Sequence, residues 1–368
     1  LFTLVIELLS KYSKAKMKGI KLGNKSYKIL MYADDIVLIC KDKEEQEEWI
    51  RILNKFKSAT GLEMNMTKSF HISSHTDNIQ IPQAPDIFTI LGFQFDKNGL
   101  RLDSKEIIKK TLDAAKRWQN SSFRIYTKTS IAKSYVLSKL WYHSYLLDVH
   151  NYAKQLNSRI KKFIWIFKDK GRTKMRDQRI QLPPKKGGLG IWDLSIRFDS
   201  QKACFFNTII NDPNMKIGNI WKQCYLQNGV DNCNPNNIKS PILKLLLSKW
   251  KLVTNKIPDI KNCANKLKIW NDALIGDTNE IRTPRQLHIL ETQKVCLIQA
   301  NNRIKKLTAN IQLKEFFWHY VNGVLYFKRH KCRYCDFDKI NHPHIFFNCP
   351  YFSELFRSIK SLIYQIKS

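Results

Sequence analysis

Apolar residues in the first part of the chain follow two different spacings. Residues 28–32 and 36–40 are short apolar runs rich in β-formers, and only three residues separate them. This pattern predicts an antiparallel hairpin with two carboxylates at its tip. From 43 to 60 the apolar residues recur at helical spacing, and Gly61 is expected to end that helix because glycine readily takes a positive φ.

Shorter elements are predicted after this helix. A strand is expected at 70–73, and a second hairpin is expected near 87–95. The pair Leu91-Gly92 lies within that second hairpin. The first hundred residues are therefore expected to combine antiparallel strands with helices.

A mostly helical pattern extends from about 103 to 168. Its apolar spacing predicts a core formed by Trp118, Ile131, Tyr135, Leu137 and Trp141. The prolines and glycines of 183–190 interrupt the pattern, and residues 193–226 are again expected to be helical. The Asn-rich stretch at 228–237 is the best linker candidate, because it has few apolar residues and many turn formers.

The composition adds a large positive charge to this picture. The 368 residues include 63 Lys and Arg against 31 Asp and Glu, a formal net charge of +32. Such a charge repels itself in a compact chain, and a polyanionic partner that releases counterions on binding explains it best. Cations also alternate with aromatic residues at 159–165, which suits nucleic acid, although a wet basic face over a buried aromatic face is the alternative for any single stretch. No run approaches the roughly 18 apolar residues of a membrane span, so no membrane partner is expected.

Six of the nine cysteines are scattered, which fits a reducing, intracellular setting. The other three belong to a C-x₂-C-x₈-H-x₄-C pattern, formed by Cys332, Cys335, His344 and Cys349. Three thiolates and one imidazole are a closed tetrahedral zinc set with a structural role. His342 is an alternative fourth ligand, and free cysteines with surface histidines are the other interpretation.

The placement of two adjacent carboxylates, Asp34 and Asp35, at the tip of the hairpin needs a chemical explanation. Adjacent carboxylates on an apolar hairpin are costly unless a cation offsets them. Nucleotidyl transfer supplies one, because two Mg²⁺ ions activate a primer 3′-hydroxyl and stabilise the leaving pyrophosphate, and they take carboxylate oxygens. An ordinary Asp-Asp turn is the alternative.

The tetrapeptide Tyr32-Ala33-Asp34-Asp35 between two apolar strands resembles the polymerase box of reverse transcriptases. Residues 60–69 resemble the next palm motif of the non-LTR retrotransposon class, and Leu91-Gly92-Phe93 resembles the hairpin that grips the primer. Residues 117–140 look like that family's thumb. These pieces occur in family order, so the chain resembles a non-LTR (LINE-type) reverse transcriptase.

Two later stretches extend this resemblance. Phe163-Ile164-Trp165 followed by 182–190 is similar to the segment beyond the thumb, and similar Cys/His segments close many members of the family. The four residues between His344 and Cys349 fit the family's pattern and favour His344 over His342 as the zinc ligand. The resemblance covers roughly residues 1–200 and 316–355.

The resemblance implies roles for individual residues of the first hundred. Asp34 would be a Mg²⁺ ligand, with Asp35 as its less directly coordinating neighbour. Tyr32 would pack near the primer terminus, and the small Ala33 would let the duplex end approach. Lys68 would protonate the leaving pyrophosphate or hold the incoming phosphates, unless it is simply a solvent-facing lysine. Leu91 and Gly92 would contact the primer.

The fold implied is α+β, with a partial palm followed by helical regions and a small zinc segment. The expected divisions are a partial palm at 1–102, a helical thumb and post-thumb region at 103–227, an Asn-rich linker at 228–240, a basic helical region at 241–328 and a zinc-binding segment at 329–368. The implied partners are an RNA template, a DNA primer or nicked target DNA, and dNTPs. An intracellular ribonucleoprotein of the nucleus or cytoplasm is expected, and the oligomeric state is left open.

The chain is expected to begin inside a longer open reading frame, because its first residue is Leu1. The family's palm has another metal-binding Asp and template-holding fingers ahead of the opening helix. With one edge of the metal site, the chain alone is expected to lack polymerase activity. A non-catalytic nucleic-acid-binding remnant is the second hypothesis. A retroviral-type enzyme is disfavoured, because no RNase H-like carboxylate set follows the thumb.

Overall fold

The chain is an α+β protein in a computed structural model, mainly helical with small antiparallel sheets, as the sequence predicts. The structure describes residues 2–22, 25–73, 81–119, 121, 123–165, 180–184, 188–262, 267–275, 304, 306, 311–321, 332, 334, 335, 344, 349–351, 353, 354 and 357. Two compact units are present. The first combines Leu1–Asn120, Ile131–Phe163 and Trp192–Asp277, and the second combines Ser121–Ser130, Ile164–Ile191 and Thr278–Ser368.

The first unit opens with two helices around two small hairpins. The elements are α1 (Phe2–Lys16), β1 (Ile20–Leu22), β2 (Lys25–Tyr27), β3 (Ile29–Tyr32), β4 (Asp35–Leu38) and α2 (Lys43–Thr60). The prediction for α2 is confirmed at both ends. The side chain of Asp42 caps its start by accepting a hydrogen bond from the Glu45 N–H, and Gly61 follows its end at a φ of 73°.

A small apolar core joins these helices to the hairpin. Leu9 and Met17 from the α1 side, Ile29 from β3, and Trp49 and Ile52 from α2 are all buried. Met31, Ile36 and Leu38 lie partly buried against the same core. One face of the β3–β4 hairpin therefore rests on helices, and this packing holds its tip in a defined place.

A three-stranded antiparallel sheet follows, made by β5 (Phe88–Ile90), β6 (Phe93–Asp96) and β7 (Gly99–Leu100). The predicted second hairpin is thus confirmed. The strand predicted at 70–73 is wrong, because this stretch forms a single bridge, between His71 and Gln83. Pro82 and Pro85 lack N–H groups on the partner segment, so a longer ladder cannot form there.

The predicted helical stretch after 103 contains α3 (Lys105–Arg117), α4 (Ile125–Ile131), a π-helical segment at Ala132–Val136, α5 (Ser138–His143) and α6 (Ala153–Trp165). Leu137 is fully buried, as expected of a core residue. Tyr135 is 39% exposed, so its assignment to the core is wrong. The wider π turn breaks the 3.6-residue period on which that prediction depended.

The rest of the first unit is a helical cluster around α7 (Leu194–Asn211). This helix packs with α8 (Lys216–Cys224), α9 (Pro241–Lys256) and α10 (Leu267–Ile275), through a core that includes Phe206, Leu243, Leu247, Trp250 and Trp270. Within the stretch expected as a linker, Ile238 is buried in this core, and Val230 and Cys233 pack against it. The proposed domain limits stay predictions.

The described part of the second unit contains α11 (Ile311–Val321) beside residues from α4. The Glu315 carboxylate accepts a hydrogen bond from the Ile125 N–H at 3.2 Å, and the Tyr126 and Trp318 rings lie edge to face. Residues 180–184 and 188–191 are joined by backbone hydrogen bonds, among them that of the Gly190 N–H to the Leu182 carbonyl at 2.8 Å. None of the described helices is long and apolar enough to cross a membrane.

Candidate functional site

The carboxylate hairpin is built as the sequence predicts. Strands β3 and β4 pair antiparallel with Tyr32 opposite Asp35, so the two-residue turn between them is Ala33-Asp34. Ala33 takes a positive φ of 52°, a conformation that few non-glycine residues adopt. Tyr32, Asp34 and Asp35 are all exposed, which leaves both carboxylates open to a cation or ligand from solvent.

The base of this hairpin is fixed by a buried carboxylate. Glu45, in the first turn of α2, accepts hydrogen bonds from the N–H groups of Lys18, Gly19 at 2.7 Å and Lys41 at 2.8 Å. Lys41 follows β4 and Gly19 precedes β1. The Glu45 side chain therefore links α2 to the start of the β1–β2 hairpin and to the end of the β3–β4 hairpin. Because buried backbone donors need partners, this tie fixes where the strands leave the core.

The turn of the second hairpin is the Leu91-Gly92 pair. Leu91 has a φ of 49° and Gly92 a φ of 78°, the left-handed pair that a two-residue hairpin turn requires. Leu91 is 37% exposed. A leucine in this conformation is strained, so neighbouring groups are needed to hold the turn.

Two side chains of α5 hold this turn. The Tyr142 hydroxyl donates to the Leu91 carbonyl at 3.0 Å, and His143 Nε2 lies 3.1 Å from the Gly92 carbonyl oxygen. The Phe93 ring also packs against both the Tyr142 and His143 rings. The last turn of α5 thus grips the hairpin through its backbone and its first strand residue.

The Tyr142 hydroxyl has a raised pKa. Burial raises the pKa of its hydroxyl, and the nearby Tyr32 hydroxyl adds to the rise. The contribution from Tyr32 is an electrostatic interaction between the two hydroxyls. Tyr32, Asp34 and Asp35 thus lie on the first hairpin, and Leu91 and Gly92 form the turn of the second.

Lys68 belongs to a separate turn, at residues 65–68, and to neither hairpin. It is exposed at the end of a turn in which its N–H donates to the Asn65 carbonyl at 3.1 Å. The Asn65 side chain accepts from both the N–H and the hydroxyl of Thr67, which sets the turn. Within the described residues, no ion pair joins Lys68 to Asp34 or Asp35, so its suggested phosphate role stays a prediction.

The predicted Cys/His cluster is assembled. Ligand atoms of Cys332, Cys335, His344 and Cys349 all lie within 4.8 Å of one another, and three of the four residues are buried. Hydrogen bonding to the His344 ring, and then to the Tyr334 N–H, lowers the pKa of the Cys332 thiol to about 6. His342, the alternative ligand, lies outside the described residues.

The distances in this cluster fit a zinc ion. A tetrahedral site with Zn–S bonds of about 2.3 Å places its sulfurs about 3.8 Å apart. The Cys349 sulfur lies 3.8 Å from that of Cys335 and 4.0 Å from that of Cys332. His344 Nε2 lies 3.3 Å from the Cys335 sulfur. Donor chemistry and spacing therefore agree, and these four residues could hold Zn²⁺.

Sequence reasoning missed three residues that shape the candidate site. Tyr142 and His143 act on a turn 51 residues away, and no local pattern indicates such a contact. The sequence did contain a signal for Glu45. An acidic residue three positions after an N-cap residue such as Asp42 often accepts hydrogen bonds from free N–H groups at the start of the helix. Its reach to Gly19, 26 residues earlier, could not be inferred in this way.

The family model described as reverse transcriptase (RNA-dependent DNA polymerase) matches residues 1–95 of the 368. The matched range contains the carboxylate hairpin, Lys68 and the Leu91-Gly92 turn. It stops before α3, so the helices and the Cys/His cluster fall outside it. By this match the first 95 residues are similar to reverse transcriptases, and the similarity supports a protein of that family.

Proposed function

We propose that the chain is part of an RNA-directed DNA polymerase of the non-LTR retrotransposon class, with its partial palm at residues 1–102. The observation that carries the proposal is the hairpin tip: two exposed adjacent carboxylates in a segment similar to reverse transcriptases. The motif order beyond residue 95 and the C-terminal Cys₃His set favour the non-LTR class over other reverse transcriptases.

Asp34 and Asp35 are the proposed ligands of Mg²⁺. Carboxylate oxygens are the hard donors that this ion prefers, and both side chains are exposed. When bound, Mg²⁺ activates the primer 3′-hydroxyl and stabilises the leaving pyrophosphate. The chain positions the two carboxylates, because the β3–β4 pairing and the hydrogen bonds of Glu45 hold them on a rigid support.

The primer end is proposed to lie between the two hairpins. Tyr32 is 70% exposed on the same hairpin as Asp34, and Leu91, which is 37% exposed, presents the second turn to solvent. Exposed aromatic and backbone groups of this kind can support the last base pair of a primed duplex. Lys68 is the proposed contact for the phosphates of the incoming dNTP.

The Cys/His segment is proposed to bind Zn²⁺ as a structural element and to contact nucleic acid. Four basic residues precede or lie within it, Lys328, Arg329, Lys331 and Arg333. The net charge of +32 supports RNA template and primer or target DNA as the partners. A ribonucleoprotein of the nucleus or cytoplasm is the setting that these partners imply.

Metal-directed cleavage tests the carboxylate assignment without requiring catalysis. Fe²⁺ replaces Mg²⁺ at oxygen sites, and with ascorbate and peroxide it cuts nearby backbone and nucleic acid. Bound primed template is expected to be cut at the primer 3′ end, and the chain near residue 34. Asp34→Asn and Asp35→Asn should abolish both cuts, while Asp103→Asn, an exposed aspartate elsewhere in the first unit, should not.

Primer extension on poly(rA)/oligo(dT) with Mg²⁺ tests activity. The hairpin supplies one edge of a two-metal site, so the 368 residues alone are expected to bind primed template without extending it. Extension that Asp34→Ala abolishes would support the polymerase assignment and contradict the expected inactivity. If the primer stays uncut in the Fe²⁺ assay, the proposed metal site is rejected. The second hypothesis, a non-catalytic nucleic-acid-binding remnant, then remains, and the net charge of +32 supports it independently.

A further inference from the structure

Two tyrosines next to the Cys/His cluster form an exposed parallel stack. The ring centroids of Tyr334 and Tyr351 lie 4.8 Å apart, and their planes differ by 14°. Tyr334 is 58% exposed and Tyr351 is 55% exposed. Two large aromatic rings displayed together on a surface are an interaction feature, since each would be better hidden from water if it served only packing.

The cluster itself places these rings. Tyr334 lies between Cys332 and Cys335 in sequence, and its N–H bonds to the Cys332 thiol. Tyr351 follows Cys349, whose N–H donates to the His344 carbonyl at 2.6 Å. Both rings are thus one or two residues from proposed zinc ligands. A filled cluster would fix the stack, and an empty one would release it.

The charge near the stack indicates its partner. In the sequence, residues 326–340 around Tyr334 contain five Lys or Arg and two Asp, Asp336 and Asp338. Exposed Arg357 adds a cation beyond Tyr351, although Glu354 lies between them in sequence. Exposed aromatic rings in a segment whose sequence carries net positive charge suit bases joined to phosphates, whereas an apolar protein partner would gain nothing from that charge.

We propose that Tyr334 and Tyr351 form a stacking surface for an unpaired base of single-stranded nucleic acid, with the exposed Arg357 as a contact for its phosphates. This rests on the proposed function for the nature of the partner, but it needs no polymerase chemistry. Bases in a duplex are already stacked inside the helix, so the surface selects single strands. Every base has a flat face, so little sequence preference is expected.

Photocrosslinking of the zinc-loaded full chain locates the contact. Oligonucleotides with a single 5-iodouridine or 5-iododeoxyuridine are bound, irradiated, and the crosslinked residue is identified by mass spectrometry. Crosslinks at Tyr334 or Tyr351 are expected, with the RNA and DNA arms showing which strand is preferred. A duplex of the same sequence should crosslink there far less. Crosslinks that map only to other residues would overturn the proposal.

Variants separate stacking from folding. Tyr334→Ala with Tyr351→Ala should lower single-strand affinity of this segment by roughly 5- to 150-fold for each base that loses its stack. The paired Phe variants keep flat rings and should bind as the wild type does. Leu at both positions keeps apolar bulk without a ring face and should behave as the Ala pair. Zinc content, measured by metal analysis, checks that each variant retains the cluster.

The salt dependence adds an independent measurement. Removing a stacked ring breaks no phosphate contact, so the slope of log affinity against log salt should be unchanged in the Ala pair. Arg357→Gln should instead make that slope shallower. Affinity and crosslinking unchanged in a zinc-loaded Ala pair would reject the stacking surface, and a loss of binding with a changed slope would assign the effect to charge. Neither outcome alters the Fe²⁺ result at Asp34, which tests the proposed function separately.

Discussion

The hydroxyl of Tyr142 donates a hydrogen bond to the carbonyl oxygen of Leu91, 3.0 Å away and 51 residues earlier in the chain. His143 makes the matching contact to Gly92 at 3.1 Å. Helix α5, within the proposed thumb, therefore holds the turn that the proposed function places at the primer. A helix that moved relative to this sheet would release the turn.

Tyr142→Phe tests this grip by removing the hydroxyl alone. The free energy of unfolding is expected to fall by about 1 kcal/mol, because the bond is partly exposed and its acceptor can turn to water. Hydrogen exchange at the amides of Gly92 and Phe93 should become faster. Tyr135→Phe, which removes a hydroxyl from an exposed ring elsewhere in the helical region, is the control. Equal exchange at residues 92–93 in both variants would show that the bond does not hold the turn.

The carboxylate turn depends on backbone strain at Ala33, whose φ is 52°. A β-branched residue fits this region poorly, so Ala33→Val is expected to lower stability by about 1–2 kcal/mol or more. Ala33→Gly relieves the strain and should leave stability unchanged or slightly raised. Thermal unfolding followed by circular dichroism measures both. Ala84→Val, at a non-helical position without positive φ, should have a smaller effect than Ala33→Val.

Lys202 predicts a specific dependence of stability on pH. Its ammonium donates to the Ser144 carbonyl, the C-cap of α5, at 2.6 Å, and burial lowers its pKa from 10.5 to about 8. Between these values the unfolded chain binds a proton that the folded chain does not. The free energy of unfolding therefore rises with pH across this window, and below about pH 8 the buried charge carries its full penalty.

Lys202→Met removes that titration. The difference in unfolding free energy, wild type minus variant, should grow by about 3 kcal/mol as the pH rises from below 8 to above 10.5. Denaturant titrations at several pH values measure it. Lys244→Met removes one exposed cation of α9 and controls for the change in net charge. A flat difference across the window would mean that the Lys202 ammonium is not desolvated as the structure shows.

Zinc removal should change the reactivity of the cluster thiols. Cys349 is fully buried and Cys332 is 4% exposed. With zinc bound, the sulfurs of Cys332, Cys335 and Cys349 should resist a thiol reagent, and a chelator should make all three react. Cys224 is exposed and should react in both conditions, which calibrates the assay. His344→Ala is expected to make the three thiols reactive at lower chelator concentration. Equal thiol counts with and without chelator would exclude a zinc site.

The sequence predicted the elements whose information is local. Helix α2 follows from apolar spacing over 43–60 and a glycine at its end, and both hairpins follow from short β-forming runs around two-residue turns. The Cys/His cluster follows from spacing within 18 residues, and the structure brings all four side chains together. Each of these patterns depends on residues close together in the sequence, so the sequence alone is enough to predict these elements.

The contacts that hold the Leu91-Gly92 turn and the end of α5 join segments far apart in the sequence. Tyr142 meets Leu91 across 51 residues, and Lys202 meets Ser144 across 58. These pairs exist because packed helices bring distant segments together, and no periodicity encodes the partner. The failed assignment of Tyr135 has a related cause, since a π-helical turn shifts side chains off the expected face.

Glu45 gives a sharp test of how the carboxylate hairpin is positioned. Its carboxylate accepts N–H groups from Lys18, Gly19 and Lys41, and it is buried. Glu45→Gln keeps the shape but turns one acceptor into a donor, so two N–H groups would face each other in the core. The expected loss of stability is about 2–3 kcal/mol, typical of a buried, charge-assisted network that loses an acceptor.

Because Lys41 lies three residues after the end of β4, the effect should concentrate on the hairpin. Amide exchange in β3 and β4 should accelerate more in Glu45→Gln than exchange in α3. Glu44→Gln is the matched control, since Glu44 is exposed in the same first turn of α2 and should lose only a few tenths of a kcal/mol of helix-dipole stabilisation. If the Glu45 tie positions Asp34 and Asp35, Fe²⁺-directed cleavage at the primer end should also weaken in Glu45→Gln and persist in Glu44→Gln. Cleavage of equal strength in both variants would show that the core alone places the carboxylates.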